Sequence, residues 1–284
     1  MSESEPLVRN ISDTARWAAV YRARETERSD ALFRDPFARR LAGDRGEQIA
    51  DGMPFSNKAT WAWITRTVLF DRFITELIGQ GVDTVVNLAA GLDARPYRMP
   101  LSPSLKWIEV DLPEILDYKE SILAGEKPVC SLERVRLDLS NVDARRQLFI
   151  RLGANAKRAL VITEGLLIYL SADEVASLAR DLASISAFQN WVFELVSPGL
   201  MKKMTQSTGV ILNQANAPFK FAPPEGPGFF EAHGWQIKEV RSLLKTAAQL
   251  KRLTLFMRLI ALLPESNRKQ GRTPWSGICL LTKK

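Results

Sequence analysis

Thr84-Val-Val-Asn-Leu-Ala-Ala-Gly91-Leu-Asp-Ala-Arg-Pro-Tyr97-Arg98 is an apolar run that stops abruptly at a glycine, with an acid two positions later. Such a pattern predicts a buried strand over 84–90 that delivers its carboxyl end to a ligand. Twenty residues after Gly91, a second strand-like run, Lys106-Trp-Ile-Glu-Val-Asp111, ends in a carboxylate. In an open α/β sheet that spacing places an acid on the ribose hydroxyls of a bound nucleoside.

The loop also indicates which nucleoside. A dinucleotide requires G-x-G-x-x-G, because side chains are excluded where the backbone meets a pyrophosphate and where the helix closes on its strand. Ala89 and Ala94 stand where the first and third glycines would fall, leaving Gly91 alone. A cofactor with ribose and adenine but no phosphate fits better, and S-adenosylmethionine is the common one.

From this point the chain alternates between two periodicities. Strand-like runs at 84–90, 106–111, 134–139, 159–163, 190–196, 235–240 and 276–282 are separated by helical ones such as Pro113–Gly125, Val142–Leu152 and Ser171–Ser186. The last opens with a Ser-x-x-Glu capping box at Ser171 and Glu174. The prediction is an α/β fold, a mostly parallel seven-stranded sheet with helices on both faces. The first 80 residues read as a helical prefix or lid packed at the carboxyl edge of the sheet, with helical spacing over 13–28, 36–41 and 57–77. Residues 81–284 form the cofactor domain, with an irregular, proline- and glycine-rich insertion at 197–230.

Composition narrows the function classes. A hydrophobic share of 46% supports a sizeable core, and two distant cysteines suggest neither a disulfide framework nor a thiolate metal site. The acidic start, Met1 to Glu5, lacks the basic and apolar regions of a signal peptide, and no apolar run reaches the ~18 residues of a spanning helix. A cytoplasmic location is expected. The net charge of +7 comes largely from late residues, among them Lys238, Arg241, Lys245, Lys251, Arg252, Arg258, Arg268, Lys269 and Arg272. These read as a solvated basic face rather than a nucleic-acid surface, because they are not interleaved with aromatics. Residues 242–263 are basic on one side and apolar on the other, which fits a core helix or lid, with a membrane-surface or partner-binding helix as the alternative.

S-adenosylmethionine presents a carboxylate, an ammonium, a ribose diol and an adenine, and the chain offers a partner for each. Asp111 can accept from both ribose hydroxyls in charge-assisted bonds. Asp138 and Leu139, expected at the end of the third strand, suit the adenine amino group and ring, although Asp138 also reads as a helix N-cap. Glu164-Gly165, at the tip of the fourth strand, places a carboxylate opposite the ammonium. Arg66, on an otherwise apolar helix, can grip the carboxylate bidentately or serve as a surface salt bridge. The only histidine is His233, so no His-Asp base pair is evident. Tyr21, Tyr97 and Tyr169 read either as pocket lining or as packed aromatics.

Several of these motifs together resemble one family. Arg22-Ala-Arg-Glu25, Asp35-Pro36, Arg66-Thr67 with Phe70-Asp71, Leu88 to Arg98, Glu109 to Pro113, Asp138-Leu139 and Thr163 to Leu170 are similar to the S-adenosylmethionine-dependent methyltransferases related to leucine carboxyl methyltransferase, including bacterial O-methyltransferases of polyketide biosynthesis. The resemblance spans roughly residues 10–200 and implies a class I methyltransferase, Rossmann-like fold. It also implies carboxylate binding by Arg66, close backbone approach at Ala89 and Gly91, and ribose, adenine and ammonium contacts from Asp111-Leu112, Asp138-Leu139 and Glu164-Gly165. Ala89 departs from the family's usual glycine, a change that a right-handed backbone would absorb. Arg22 is a candidate second carboxylate ligand, and with Tyr21 and Tyr169 it marks the substrate pocket. The acceptor implied is a small molecule bearing a carboxylate or an acidic hydroxyl. The rival readings are a nucleic-acid-binding or RNA-modifying protein and a non-catalytic cofactor-binding partner protein.

Overall fold

The computed structural model of the chain describes residues 6–54, 56–265 and 271–284, with the side chains of 56–58 outside that set. Met1 to Glu5, the Asn57 side chain, and Arg268 and Lys269 of the late basic run lie outside the described residues.

Three helices open the fold: α1 (Ile11–Thr26), α2 (Ala38–Gly52) and α3 (Ser56–Gly79). Strands and helices then alternate as β1 (Thr84–Leu88), α4 (Arg95–Arg98), β2 (Lys106–Asp111), α5 (Pro113–Ile122), β3 (Ser131–Arg136), α6 (Val142–Ala154), β4 (Ala159–Thr163), α7 (Ala172–Ala183) and β5 (Phe188–Val196). The chain ends with α8 (Pro198–Gln214), β6 (Trp235–Ser242), α9 (Leu243–Gln249), α10 (Leu255–Ala261) and β7 (Ser276–Lys283). The seven strands form one sheet in the order β3-β2-β1-β4-β5-β7-β6, parallel except for β7, which runs antiparallel to both neighbours. The order reverses direction between β1 and β4, where an open α/β sheet leaves a crevice for a ligand.

Both faces of the sheet are covered, which is why β1 and β4 are buried at every position. Alternation along the strands sorts the side chains. Val86, Leu88, Ile108 and Val110 point to a core shared with Phe149 of α6 and Leu178 and Leu182 of α7. Val85, Trp107 and Ile162 point the other way, onto Leu69, Phe73 and Leu77 of α3 and Leu243 of α9. The layer α3 forms is thus the sheet's own, while α1 and α2 pack with Leu92, Ala94 and Ile115 beyond the strand ends. Local signals set the helix starts: Asn10 caps α1 by accepting from the Asp13 amide, and Ser171 with Glu174 forms the reciprocal box at α7.

Three expectations about elements are corrected. β3 spans Ser131–Arg136 rather than 134–139, since the chain leaves the sheet once the Leu137 amide has bonded the Asp111 carbonyl. Half of the 197–230 insertion is the helix α8: Ser197 caps it and Pro198 occupies its first turn, where a missing N–H costs nothing. Residues 242–263 are not one helix but α9 and α10, separated at Lys251, whose φ is +58°. Leu243, Ala247, Leu253 and Ala261 of that segment are buried.

Candidate active site

The carboxyl ends of β1, β2 and β4, with α1 and α3 above them, enclose a cavity of about 400 Å³, within the ~300–1,000 Å³ typical of small-molecule sites. Eleven predicted residues line it together: Arg22, Arg66, Ala89, Gly91, Asp111, Leu112, Asp138, Leu139, Glu164, Gly165 and Tyr169. Tyr21 does not. It is 1% exposed, receives a hydrogen bond from Trp17 Nε1 at 3.0 Å and stacks on Trp63 at 5.2 Å, as a packed aromatic. Tyr97 is likewise structural, its hydroxyl accepting from Arg134 at 2.7 Å.

The glycine loop is organised by Asp111. One carboxylate oxygen accepts from the Gly91 amide at 2.6 Å and the other from the Leu112 amide at 2.8 Å. Burial nonetheless holds the Asp111 pKa above its usual value, because those two bonds only partly offset the lost hydration. Each oxygen retains a second lone pair to offer a ligand hydroxyl. Two left-handed residues turn the loop: Gly91 at φ +48° and Ala89 at φ +53°. A right-handed backbone at Ala89 is therefore not what the chain adopts, and a side chain sits where glycine is favoured. Ala89→Gly is expected to stabilise the fold by about 0.5 to 1 kcal/mol, the relief of left-handed strain less glycine's greater unfolded-state entropy. Thermal denaturation of the two proteins measures it.

Asp138 lies past the end of β3 in a turn, accepting from the Ser140 amide at 2.9 Å. The N-cap of α6 is Asn141, not Asp138. At the other end of the cavity Arg66 and Glu164 pair with one another, Nε to Oε1 at 3.0 Å, and Arg66 also lies over the Trp63 ring at 4.6 Å. Glu164 receives a second guanidinium, Arg95 Nη1, at 2.9 Å. Arg22 bonds Asp35 at 2.8 Å and the Leu92 carbonyl at 2.5 Å, which ties α1 to the glycine loop.

Charged residues at or beside this site also escaped the sequence reading, two of them with consequences for its electrostatics. Arg95 is 2% exposed, and its guanidinium meets Asp71 at 2.6 Å and Asp93 at 2.9 Å besides Glu164. Burial alone would raise the Asp93 pKa, but Arg95, then Lys119 and Arg98, overcome it and hold it down to about 2. Asp93 also accepts from Asn87 Nδ2 at 2.9 Å, so the loop is braced from β1 to α4. The second is Glu194 on β5, whose Oε1 accepts from the Gly165 amide at 2.5 Å while Oε2 is buried without a hydrogen-bond partner.

Residues 15–183, more than half of the chain, match the leucine carboxyl methyltransferase family. The chain belongs to that family. It is an S-adenosylmethionine-dependent methyltransferase. A relative from Streptomyces coelicolor, named "Putative S-adenosyl-L-methionine-dependent methyltransferase", is 32% identical over 237 residues, covering 78% of this chain and 82% of its own. One from Mycobacteroides abscessus with the same style of name is 29% identical over 265 residues, covering 81% and 86%. The crystal structure of a DUF574 family protein from Streptomyces avermitilis has the same fold, with a TM-score of 0.62, 10% identity, and coverage of 95% of this chain and 97% of that one.

The donor set of this methyltransferase suits its cofactor: carboxylates at the ends of β2 and β4, an arginine on α3, and a loop whose amide is fixed by Asp111. Glu194 gives the site a pH signature. Burial pushes its pKa from 4.5 up to about 7, Glu164 adds to the push and Arg66 only partly opposes it. The folded state therefore keeps a proton that the unfolded chain releases near 4.5, so this group's contribution to stability falls as pH rises from about 4.5 to 7. Glu194→Gln is expected to flatten that fall and to gain about 1 to 3 kcal/mol over wild type at alkaline pH. Urea denaturation on both sides of the window reads it out.

Proposed function

We propose that this methyltransferase transfers the methyl group to an oxygen that arrives already ionised, a carboxylate or an acidic hydroxyl of a small, polyketide-type metabolite. The observation that carries the reading is that every titratable side chain lining the cavity is already engaged or unsuited to act as a base, and that Glu194, though its pKa lies near 7, sits buried behind Gly165 outside that lining. Burial pushes the Tyr169 phenol up to about 12, despite bonding to Thr14 and the nearby Arg66. Asp93 and Glu164 are held in ion pairs, Asp111 and Asp138 accept from backbone amides, and Glu174 closes the cap of α7. His233, the single histidine, is absent from the cavity lining and contacts Arg180 at 3.5 Å. An acceptor that is already an anion needs no base, and orientation can supply much of the rate, about 7 to 11 kcal/mol at best.

S-adenosylmethionine supplies an electrophilic methyl group on a sulfonium. In this reading Arg66 and Glu164 receive its carboxylate and ammonium, an amino-acid zwitterion matching an arginine–glutamate pair charge for charge. Asp111 holds the ribose diol, with Leu112 beside it. Asp138 and Leu139 serve the adenine, and Ala89, Gly91 and Gly165 give the backbone close approach. Tyr169, in contact with Phe219 at 5.7 Å, and Arg22 border the acceptor side. The nucleic-acid alternative is weakened by the fate of the late arginines: Arg241 pairs with Glu76 and Glu239, and Arg252 with Glu25 and Asp30.

The test is a pH series with carboxylic acids and phenols of graded acidity, following S-adenosylhomocysteine release. Turnover is expected to rise with the ionisation of each acceptor, so the midpoint moves with the acceptor's own pKa. A midpoint fixed across acceptors, or turnover confined to amines, would contradict the proposal.

A further inference from the structure

One face of the molecule has no role in the site. Leu255, Phe256, Leu259, Leu262 and Leu263 are 61–80% exposed, and their spacing places them along one stripe of α10 and the turn that follows it. The opposite side of α10 is anchored: Ala261 and Met257 pack with Ala247, Leu253 and Trp61, the last on the helix that carries Trp63 and Arg66. The stripe is therefore held outward on a supported element. Arg241 and Arg252 near it are neutralised by carboxylates, and the unpaired charge that remains is positive. Residues 240–264 contain Arg241, Lys245, Lys251, Arg252 and Arg258 and no acid. Lys245 and Lys251 are exposed, and neither side chain is in an ion pair among the described residues.

We infer that the stripe on α10 docks the protein reversibly on an anionic lipid surface, with Leu255, Phe256, Leu259, Leu262 and Leu263 entering the interface and Lys245 and Lys251 facing the headgroups. Outward leucines and a phenylalanine beside unpaired lysines are the composition of an interfacial helix. A second copy of the chain is a poor occupant. A two-fold contact centred on α10 would bring Lys245, Lys251 and Arg258 against their own duplicates, with Glu265 the single carboxylate of 240–265 to set against them. No helix among the described residues is long and apolar enough to cross a membrane, so the attachment is peripheral.

The experiment is flotation of the full-length protein with vesicles of about one-third phosphatidylglycerol in phosphatidylcholine, against phosphatidylcholine alone. Binding is expected only with the anionic vesicles. The double variant F256E/L259E should lower it at least about ten-fold while leaving the melting temperature and S-adenosylmethionine binding unchanged. Lys245→Ala and Lys251→Ala should each lower it about five-fold. Absence of flotation with anionic vesicles would overturn the inference, as would equal flotation of F256E/L259E. Light scattering without vesicles supplies the remaining arm: a dimer that F256E/L259E converts to monomer would make the stripe a contact between copies and overturn lipid docking.

Discussion

Arg95→Leu is expected to destabilise the fold by about 3 to 5 kcal/mol, the cost of removing one partner from a buried ionic cluster. The wild-type side chain is 3% exposed, and its guanidinium is shared by Asp71, Asp93 and Glu164. Leucine fills much of the same volume, so lost packing contributes little and the penalty falls on the carboxylates left behind. Arg98 still holds Asp71 at 2.8 Å, but Asp93 would lose its strongest compensating charge. Its pKa, now about 2, should rise, and the variant should regain part of its deficit as the pH is lowered toward the ordinary carboxylate range. Urea denaturation at neutral and acid pH decides the matter. A loss below about 1 kcal/mol would place the cluster among exposed pairs of little consequence.

The same cluster shows where sequence reading stops. β1 and β4 were legible because inner parallel strands are predominantly apolar, β2 from its Trp-Ile and Val positions, and Gly91 and Asp111 because a loop and an acid at strand ends have a recognisable spacing. Arg95 lies within the stretch that revealed the loop, yet its partners Asp71 and Glu164 come from α3 and the end of β4, and no local pattern joins them. Glu194 sits inside Phe-Glu-Leu-Val and reads as an ordinary strand residue until the fold brings the Gly165 amide to it. The shift of β3 arose because Ser131–Arg136 alternates on a half-exposed edge, whereas Val135, Leu137 and Leu139 continue the apolar rhythm into the following turn. α8 was hidden by Pro198-Gly199, a pair that breaks a helix interior but is tolerated in a first turn. The break at Lys251 has no signal in Leu250-Lys251-Arg252; packing of Ala247, Leu253 and Ala261 imposes it.

Asp111→Ala is expected to weaken S-adenosylmethionine binding by about 1.5 to 3 kcal/mol, the range for hydrogen bonds to a charged group. That corresponds to roughly ten- to one-hundred-and-fifty-fold in the dissociation constant. Two effects add. The variant loses the acceptor for the ribose diol, and it frees the Gly91 and Leu112 amides that the carboxylate now fixes at 2.6 and 2.8 Å. Asp111→Asn should fall between, because an amide keeps one acceptor oxygen but not the charge.

Calorimetric titration of S-adenosylmethionine into wild type and Asp111→Ala, with NAD as the control ligand, bears most directly on the claim that this cavity is the cofactor site. Wild type should bind S-adenosylmethionine one to one and NAD weakly or not at all, and Asp111→Ala should lose at least about ten-fold in affinity while remaining folded. An unchanged dissociation constant in a folded Asp111→Ala protein, or NAD binding as tight as that of S-adenosylmethionine, would contradict it.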